Sequence, residues 1–324
     1  MTRILLVSLG STAGLRAADD ALAASLERAG AAVTIARAET PHAVRTLALT
    51  DFAWARAANA AARGALARER PDSIIYSTIT AALLAPQPGA IRFDSLAAAN
   101  RPGRHGIWQR PRERRVLPHA TVLVPWSAAS LEGASAARIP VVVVPVAVAP
   151  SGPRAPARDL AAITYGANPH KKGLDRTLAA WDEARHPGEE LVVAGVPELA
   201  SRDGIRSVGL LAAAEYRELL RRARVYVTAP RREDYGIAQL EALADGCLLV
   251  TTPAPGPYEA LELARKLDPR LVGDDLAHAI RLALDEPLPG YAQAAERSIQ
   301  GRHTPAAVDR VVATELLPAL IAAS

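Results

Sequence analysis

The sequence predicts an α/β protein made of two Rossmann-like domains facing each other across a cleft. Three observations carry that expectation. Short runs of aliphatic and β-branched residues alternate with alanine-rich stretches of helical spacing, the pattern of a parallel, doubly wound sheet. The alternation is broken once, over Pro145–Arg158, where Pro145, Pro150, Pro153 and Pro156 with Gly152 have the composition of a linker. The chain of 324 residues is also long enough for two complete cores.

Taken in order, Arg3–Leu9 reads as a buried strand ended by Gly10. Ala17–Ala29 has helical spacing, carries Asp19, Asp20, Glu27 and Arg28 as its charges, and is stopped by Gly30. Val33–Ala36 is the next strand, and helical alanine-rich sequence covers about Phe52–Arg70. Ser73–Tyr76, Ala90–Phe93, Thr121–Val124 and Val141–Val144 follow as short apolar strands. Past the seam the alternation restarts with strand Ala161–Tyr165, a helix from Leu174, and strands Leu191–Ala194 and Ile205–Val208. Helix Ala213–Arg222, strand Val225–Thr228, helix Ile237–Ala244 and strand Leu248–Thr251 complete it. A helical tail, Pro305–Ala323, closes the chain. The first domain is therefore expected over residues 1–148, with 305–324 able to pack back on it, and the second over 149–304.

Composition narrows the class. Half the residues are hydrophobic and 22% are charged, which excludes a disordered, collagen-like or coiled-coil chain. The single cysteine, Cys247, excludes a disulfide framework and a zinc site of several thiolates, so a reducing compartment is expected. Ile4–Leu9 is too short for a secretory signal. The longest greasy run, Ile139–Ala149, is broken by Pro140 and Pro145 and falls well short of the roughly 20 residues that cross a bilayer. A cytoplasmic protein is expected. Trp54, Trp126 and Trp181 read as packing residues.

Ligands in such sheets bind beyond the carboxyl ends of the strands, so the chemistry is sought there. The first strand ends in Gly10-Ser11-Thr12-Ala13-Gly14. Position 12 is threonine where a dinucleotide fingerprint needs glycine, which counts against an NAD or FAD enzyme. Ser11 and Thr12 remain candidates for contact with an acceptor or a phosphate. After the strand at Tyr165 comes Gly166-Ala167-Asn168-Pro169-His170-Lys171-Lys172-Gly173. Only three lysines occur among 38 basic residues, so an adjacent pair beside a helix start stands out as a candidate phosphate contact. Further on, Glu233 lies in a loop, Gly236 lets the backbone pass close at a helix start, and Glu241 follows within that helix. Paired carboxylates are what vicinal hydroxyls, such as those of ribose or a sugar, require of a binding site.

Glu233-x7-Glu241, with Tyr235-Gly236, Leu240-Glu241-Ala242 and Ala244-Asp245-Gly246, resembles the donor-site motif of retaining GT-B glycosyltransferases, family 4 in particular. Lys172-Gly173, Val208-Gly209-Leu210, Glu215-Tyr216 and Pro255-Gly256-Pro257-Tyr258-Glu259 fall where that family places corresponding segments. The resemblance covers about Ala161–Ala264, and the first half only as a general architecture. It implies that Glu241 holds the ribose hydroxyls of a nucleotide-diphosphate sugar and that Glu233 touches the donor sugar. Lys172 would neutralise the diphosphate beside the backbone N–H groups of Gly236 and Ile237. Asn168 belongs to the same phosphate loop, and Val196, Pro197, Val208, Gly209 and Leu210 would line the base pocket. Many family members carry an arginine directly after the glycine aligned with Gly166; here it is Ala167. Arg231, Arg232 or Lys171 is the expected substitute. The resemblance further implies front-face transfer, with the leaving phosphate helping to take the acceptor proton. No Asp-x-Asp and no His/Asp ligand set occurs, so neither metal nor cofactor is expected. A sugar-nucleotide epimerase, an inverting transferase or a non-catalytic sugar-nucleotide-binding protein are the alternatives, the last because of Ala167.

Charge separates the halves. Residues 1–150 carry 17 arginines against 10 acidic side chains, and residues 151–324 carry 21 basic against 24 acidic. Arg101–Arg115 holds six arginines and one acid, with Trp108 among them. One reading is a site for an anionic acceptor, or peripheral contact with an anionic membrane at its inner face. The other is a solvated helix and loop whose arginines pair with nearby acids. Nucleic acid is not expected, because no recognition motif accompanies the charge. Asp94, at a strand end, and His105 are further acceptor-side candidates, with His119 beside them.

Overall fold

The computed structural model describes residues 1–324 apart from 43, 45, 135–138, 154–157 and 198. Pro156 of the proline-rich seam thus lies outside the described residues. The chain forms two compact units, Met1–Ala147 with Pro305–Ser324, and Val148–Thr304.

The first unit runs β1 (Arg3–Ser8), α1 (Ala13–Arg28), β2 (Ala32–Arg37), α2 (Leu47–Leu66), β3 (Ser73–Tyr76), α3 (Ile79–Ala82), β4 (Ala90–Phe93), α4 (Ala97–Asn100), α5 (Gln109–Val116) and β5 (Leu123–Pro125). Its five strands are parallel in the order β2-β1-β3-β4-β5. Thr12, Thr46 and Thr78 sit in extended backbone and each accepts the N–H three residues on, which starts α1, α2 and α3. Side chains alternate across the sheet, and both faces are covered, which explains the unbroken apolar run of β1. Leu5 and Val7 join Ile74, Tyr76 and Ile91 on the face under α2. Ile4 and Leu6 join Leu22 and Leu26 of α1 on the other.

One expected strand is not formed. Val141–Val144 lies extended beside β5, where Val142 N–H donates to the Leu123 carbonyl and Val144 N–H to the Pro125 carbonyl, each at 2.9 Å. Only an isolated bridge, Leu123 with Val141, results. The flanking Pro140 and Pro145 lack the N–H donors that a longer ladder needs.

The second unit runs β6 (Leu160–Tyr165), α6 (Pro169–Lys172), α7 (Leu174–Ala184), β7 (Leu191–Ala194), β8 (Ile205–Gly209), α8 (Ala213–Arg222), β9 (Ala223–Thr228), α9 (Ile237–Ala244), β10 (Leu248–Thr251), α10 (Glu259–Leu267), α11 (Leu276–Asp285) and α12 (Tyr291–Gln300). Its parallel sheet has the order β10-β9-β6-β7-β8. The chain winds outward from β6 through β7 to β8, then returns to lay β9 on the other side of β6. That reversal is a topological switch point, and it sets the loops after the adjacent strands β6 and β9 side by side at the carboxyl ends of the sheet. The tail, α13 (Pro305–Val311), a π-helical turn Val312–Leu316 and α14 (Leu317–Ala322), buries Val308, Val312, Leu316 and Leu320 in the same cluster as Ile4 and Leu6. Asp309 fastens it to α1 by accepting from Ser25 Oγ at 2.6 Å and from Arg28 Nε at 2.8 Å.

Candidate active site

The loops after β6 and β9 meet at the switch point of the second sheet. In the first loop, Asn168 adopts left-handed backbone at φ 57° and its side chain accepts the Lys171 N–H at 3.2 Å. The single turn of α6 ends at Gly173, φ 61°, where a Cβ would stand 1.9 Å from the Ala229 carbonyl oxygen. Only glycine allows that approach, and it presses Lys172 onto the second loop. Lys172 Nζ lies 2.5 Å from Glu233 Oε2, and Gln239 Nε2 donates to the same oxygen at 3.0 Å. Glu233 is 4% exposed. Its backbone N–H donates to the Pro255 carbonyl at 3.1 Å, and a Cβ on Gly256 would come within 2.2 Å of the Glu233 carbonyl oxygen.

The neighbouring cations are engaged as well. Lys171 Nζ lies 2.6 Å from Asp234 Oδ2 and Arg232 Nε 2.7 Å from Asp234 Oδ1. Burial pushes the Asp234 carboxyl up, but Lys171 and Arg232 together hold it below the ordinary value. Arg231 reaches Asp175 with two donors, at 2.7 and 2.6 Å, and its hydrogen bonds hold that carboxyl down at about 2. All three proposed substitutes for the missing phosphate arginine are therefore paired with an acid.

Gly236 precedes α9 at φ 94°, and no side chain caps the helix that Ile237 begins. Glu241, one turn in, stands 3.7 Å from Arg217 Nη1. Burial raises its carboxyl above the ordinary value, with Arg217 acting against and Asp245 with that shift. The buried Tyr226 hydroxyl is pushed up chiefly by desolvation, and the charges of Glu233 and Glu241 add to it. Beyond β6, β7 and β8, Gly166 packs on Val196, Gly195 on the Tyr165 ring, and Gly195 N–H donates to the Gly209 carbonyl at 2.7 Å. Val208 is half-buried, and Pro197 and Leu210 are exposed at this rim.

In the first unit, half-buried Ser11 and the helix-capping Thr12 follow β1, and half-buried Asp94 follows β4. His105 sits exposed in the turn Gly103–Gly106. The arginine cluster divides. Arg101 pairs with Asp51 at 2.9 Å, and Arg112 covers the Trp108 ring at 4.9 Å. Glu113 turns inward to accept the Ala97 N–H at 2.7 Å. Arg104, Arg114 and Arg115 are exposed and make no ion pair among the described residues. Also among the described residues, no three His, Cys, Asp or Glu side chains gather as metal ligands, and no helix is long and apolar enough to cross a membrane.

Sequence reading missed Tyr165, Gln239 and Arg217. Tyr165 ends β6 and was visible as a strand-end aromatic. Gln239 sits two residues before Glu241 and nothing in its spacing marks it. Arg217 lies on another helix, and only the fold brings it to Glu241.

Residues 160–286 match the family model described as glycosyl transferases group 1, less than half of the chain. No curated protein matches the sequence. Among solved structures, sucrose-phosphate synthase from Thermosynechococcus elongatus is similar with a TM-score of 0.78 at 16% identity, over 100% of both chains. WaaG, a glycosyltransferase involved in lipopolysaccharide biosynthesis, is similar with a TM-score of 0.70 at 13% identity, over 97% of this chain and 100% of its own. The pneumococcal O-GlcNAc transferase GtfA, solved with UDP and GlcNAc, gives 0.55 at 14% identity over 83% and 60%. The fold is thus that of the GT-B glycosyltransferases, with two parallel five-stranded sheets. A group 1 glycosyl transferase domain on that fold defines the class of protein, a glycosyltransferase.

Proposed function

We propose that this glycosyltransferase moves a sugar from a nucleotide-diphosphate sugar to an acceptor with retention of anomeric configuration and without a metal. The observation that carries the reading is the Lys172–Glu233 pair at the sheet's switch point, 2.5 Å apart, with Glu241 one helical turn beyond the uncapped start of α9. In this reading Glu241 accepts the ribose hydroxyls and Glu233 accepts hydroxyls of the donor sugar. Lys172 exchanges Glu233 for the diphosphate when donor enters. The N–H groups at Gly236 and Ile237 meet the same anion, since a helix start favours negative charge.

The acceptor oxygen forms its bond to the anomeric carbon on the face from which the diphosphate leaves. The sugar–phosphate bond breaks, and the acceptor proton passes to the departing phosphate oxygen. Lys172 and the helix start stabilise the charge that develops there, a preorganised electrostatic role. Glu233 positions the sugar and forms no covalent bond. The exposed Arg104, Arg114 and Arg115 support a negatively charged acceptor or surface for the first unit, and the reading places the reaction in the cytoplasm.

A thermal-shift series with UDP-, GDP-, ADP- and TDP-sugars tests the donor, because a ligand of the native state raises its melting temperature. One of the four is expected to do so, and the product is expected to keep the donor's anomeric configuration by NMR. No shift with any donor, or an inverted product, overturns the reading.

A further inference from the structure

Arg217, on α8, is held on three sides. Its Nε lies 2.7 Å from Asp245 Oδ2, its Nη2 donates to the Ala149 carbonyl at 2.7 Å, and its Nη1 stands 3.7 Å from Glu241 Oε1. Asp245 is buried, and its Oδ1 accepts the Ser151 backbone N–H at 2.7 Å and the Ser151 hydroxyl at 2.9 Å. Ala149 and Ser151 belong to the segment by which the chain enters the second unit. One guanidinium therefore joins that entry segment, the end of α9 and the carboxylate read above as the ribose acceptor. A planar fork of five donors can meet three partners at once, which an ammonium cannot do in fixed directions.

We propose that Arg217 is a positioning residue for nucleotide binding, holding the Glu241 carboxylate in place and tying it to the entry segment through Asp245, Ala149 and Ser151. The inference rests on the reading of Glu241 as the group that takes the ribose. Glu241 lies 3.7 Å from Arg217 of α8, and the other charged and titratable groups that interact with it electrostatically are Tyr216 of α8, Tyr165 at the end of β6, Tyr226 of β9 and Asp245 just past the end of α9. Arg217 is the cation of that set. It offsets both the burial of Glu241 and the like charge of Asp245. Without it the half-buried Glu241 and the buried Asp245 are like charges with no cation between them, and a protonated Glu241 loses one of its two acceptor oxygens for a vicinal diol.

The test is calorimetric binding of UDP, GDP, ADP and TDP to the full chain from pH 5 to 8.5, with wild type, Arg217→Lys, Ser151→Ala, Glu241→Gln and the two double variants. Arg217→Lys is expected to weaken binding roughly tenfold, a loss of about 1.4 kcal/mol. Its affinity should begin to fall on acidification at a higher pH than that of wild type. Ser151→Ala, which cuts the network at its far end and leaves Arg217 intact, is expected to shift both in the same direction by less. In the Glu241→Gln background neither change should matter, since coupled residues are non-additive. Wild-type affinity and pH profile in Arg217→Lys overturn the proposal. An equal loss with and without Glu241→Gln does so too, because it marks a merely structural role. If wild type binds none of the four nucleotides, the ribose reading itself fails and the inference goes with it.

Discussion

Lys172 and Glu233 show how a residue pair can be inferred from a sequence and yet be understood only in the fold. Their spacing of 61 residues carries no signal, and each was singled out for its own reason: a lysine against an arginine bias, and a glutamate before a helix. The structure adds that each satisfies the other, with Gln239 sharing the carboxylate. Glu113 is a second case at this scale. It sits among the arginines as their only acid, which suggests a solvated ion pair, but it is buried and burial raises its carboxyl from 4.5 to about 7, against the pull of the Ala97 N–H, Arg101 and Arg114. A carboxyl whose folded value is raised stabilises the fold below its unfolded value, and that contribution is lost as pH rises through the folded one. Glu113→Gln keeps an acceptor for Ala97. It is expected to match wild type near pH 4.5 and to be more stable at pH 8 by roughly 1–3 kcal/mol. Urea melts at the two pH values check this; parallel stabilities across the range would refute it.

At the scale of elements, local pattern served the short buried strands and two of the helices well. Ser73–Tyr76, Ala90–Phe93, Leu191–Ala194, Ala213–Arg222, Ile237–Ala244 and Leu248–Thr251 were legible to the residue, because period and turn signals are local properties. The helices α10, α11 and α12 were not assigned from the sequence, and neither were the one-turn helices α3, α4 and α6, since a single turn is unstable alone and is supported by what it packs on. α6 matters most for function. Its end at Gly173 combines φ 61° with a Cβ position 1.9 Å from the Ala229 carbonyl. Gly173→Ala is expected to cost roughly 2–4 kcal/mol through backbone strain and the forced separation of the two loops. It should also weaken donor binding, because Lys172 moves with the loop. Denaturant melts and calorimetry read both, and a neutral variant would show that the loops separate freely.

For the whole molecule, the two units have distinct cores, and the tail 305–324 belongs to the first. Leu316 is fully buried there among Ile4, Leu6 and Leu26. Leu316→Ala is expected to cost about 2–5 kcal/mol, the range for a buried leucine replaced by a cavity. The loss should appear as faster amide exchange in β1 and α1, while exchange in β6 and β9 and nucleotide affinity stay unchanged. Equal acceleration in both sheets would show that the units unfold as one.

The sequence by itself determined most of the strands and many of the longer helices, the glycines that end them, and the residue types offered beyond the strand ends. Those depend on neighbours within a few positions, where periodicity and backbone preference act. Only the tertiary structure decided strand order, β2-β1-β3-β4-β5 in one sheet and β10-β9-β6-β7-β8 in the other. Order decides which loops meet, and so why Lys172 reaches Glu233 and Arg217 reaches Glu241. Pairing between strands is selected by how whole faces pack, a property that no short stretch of chain contains.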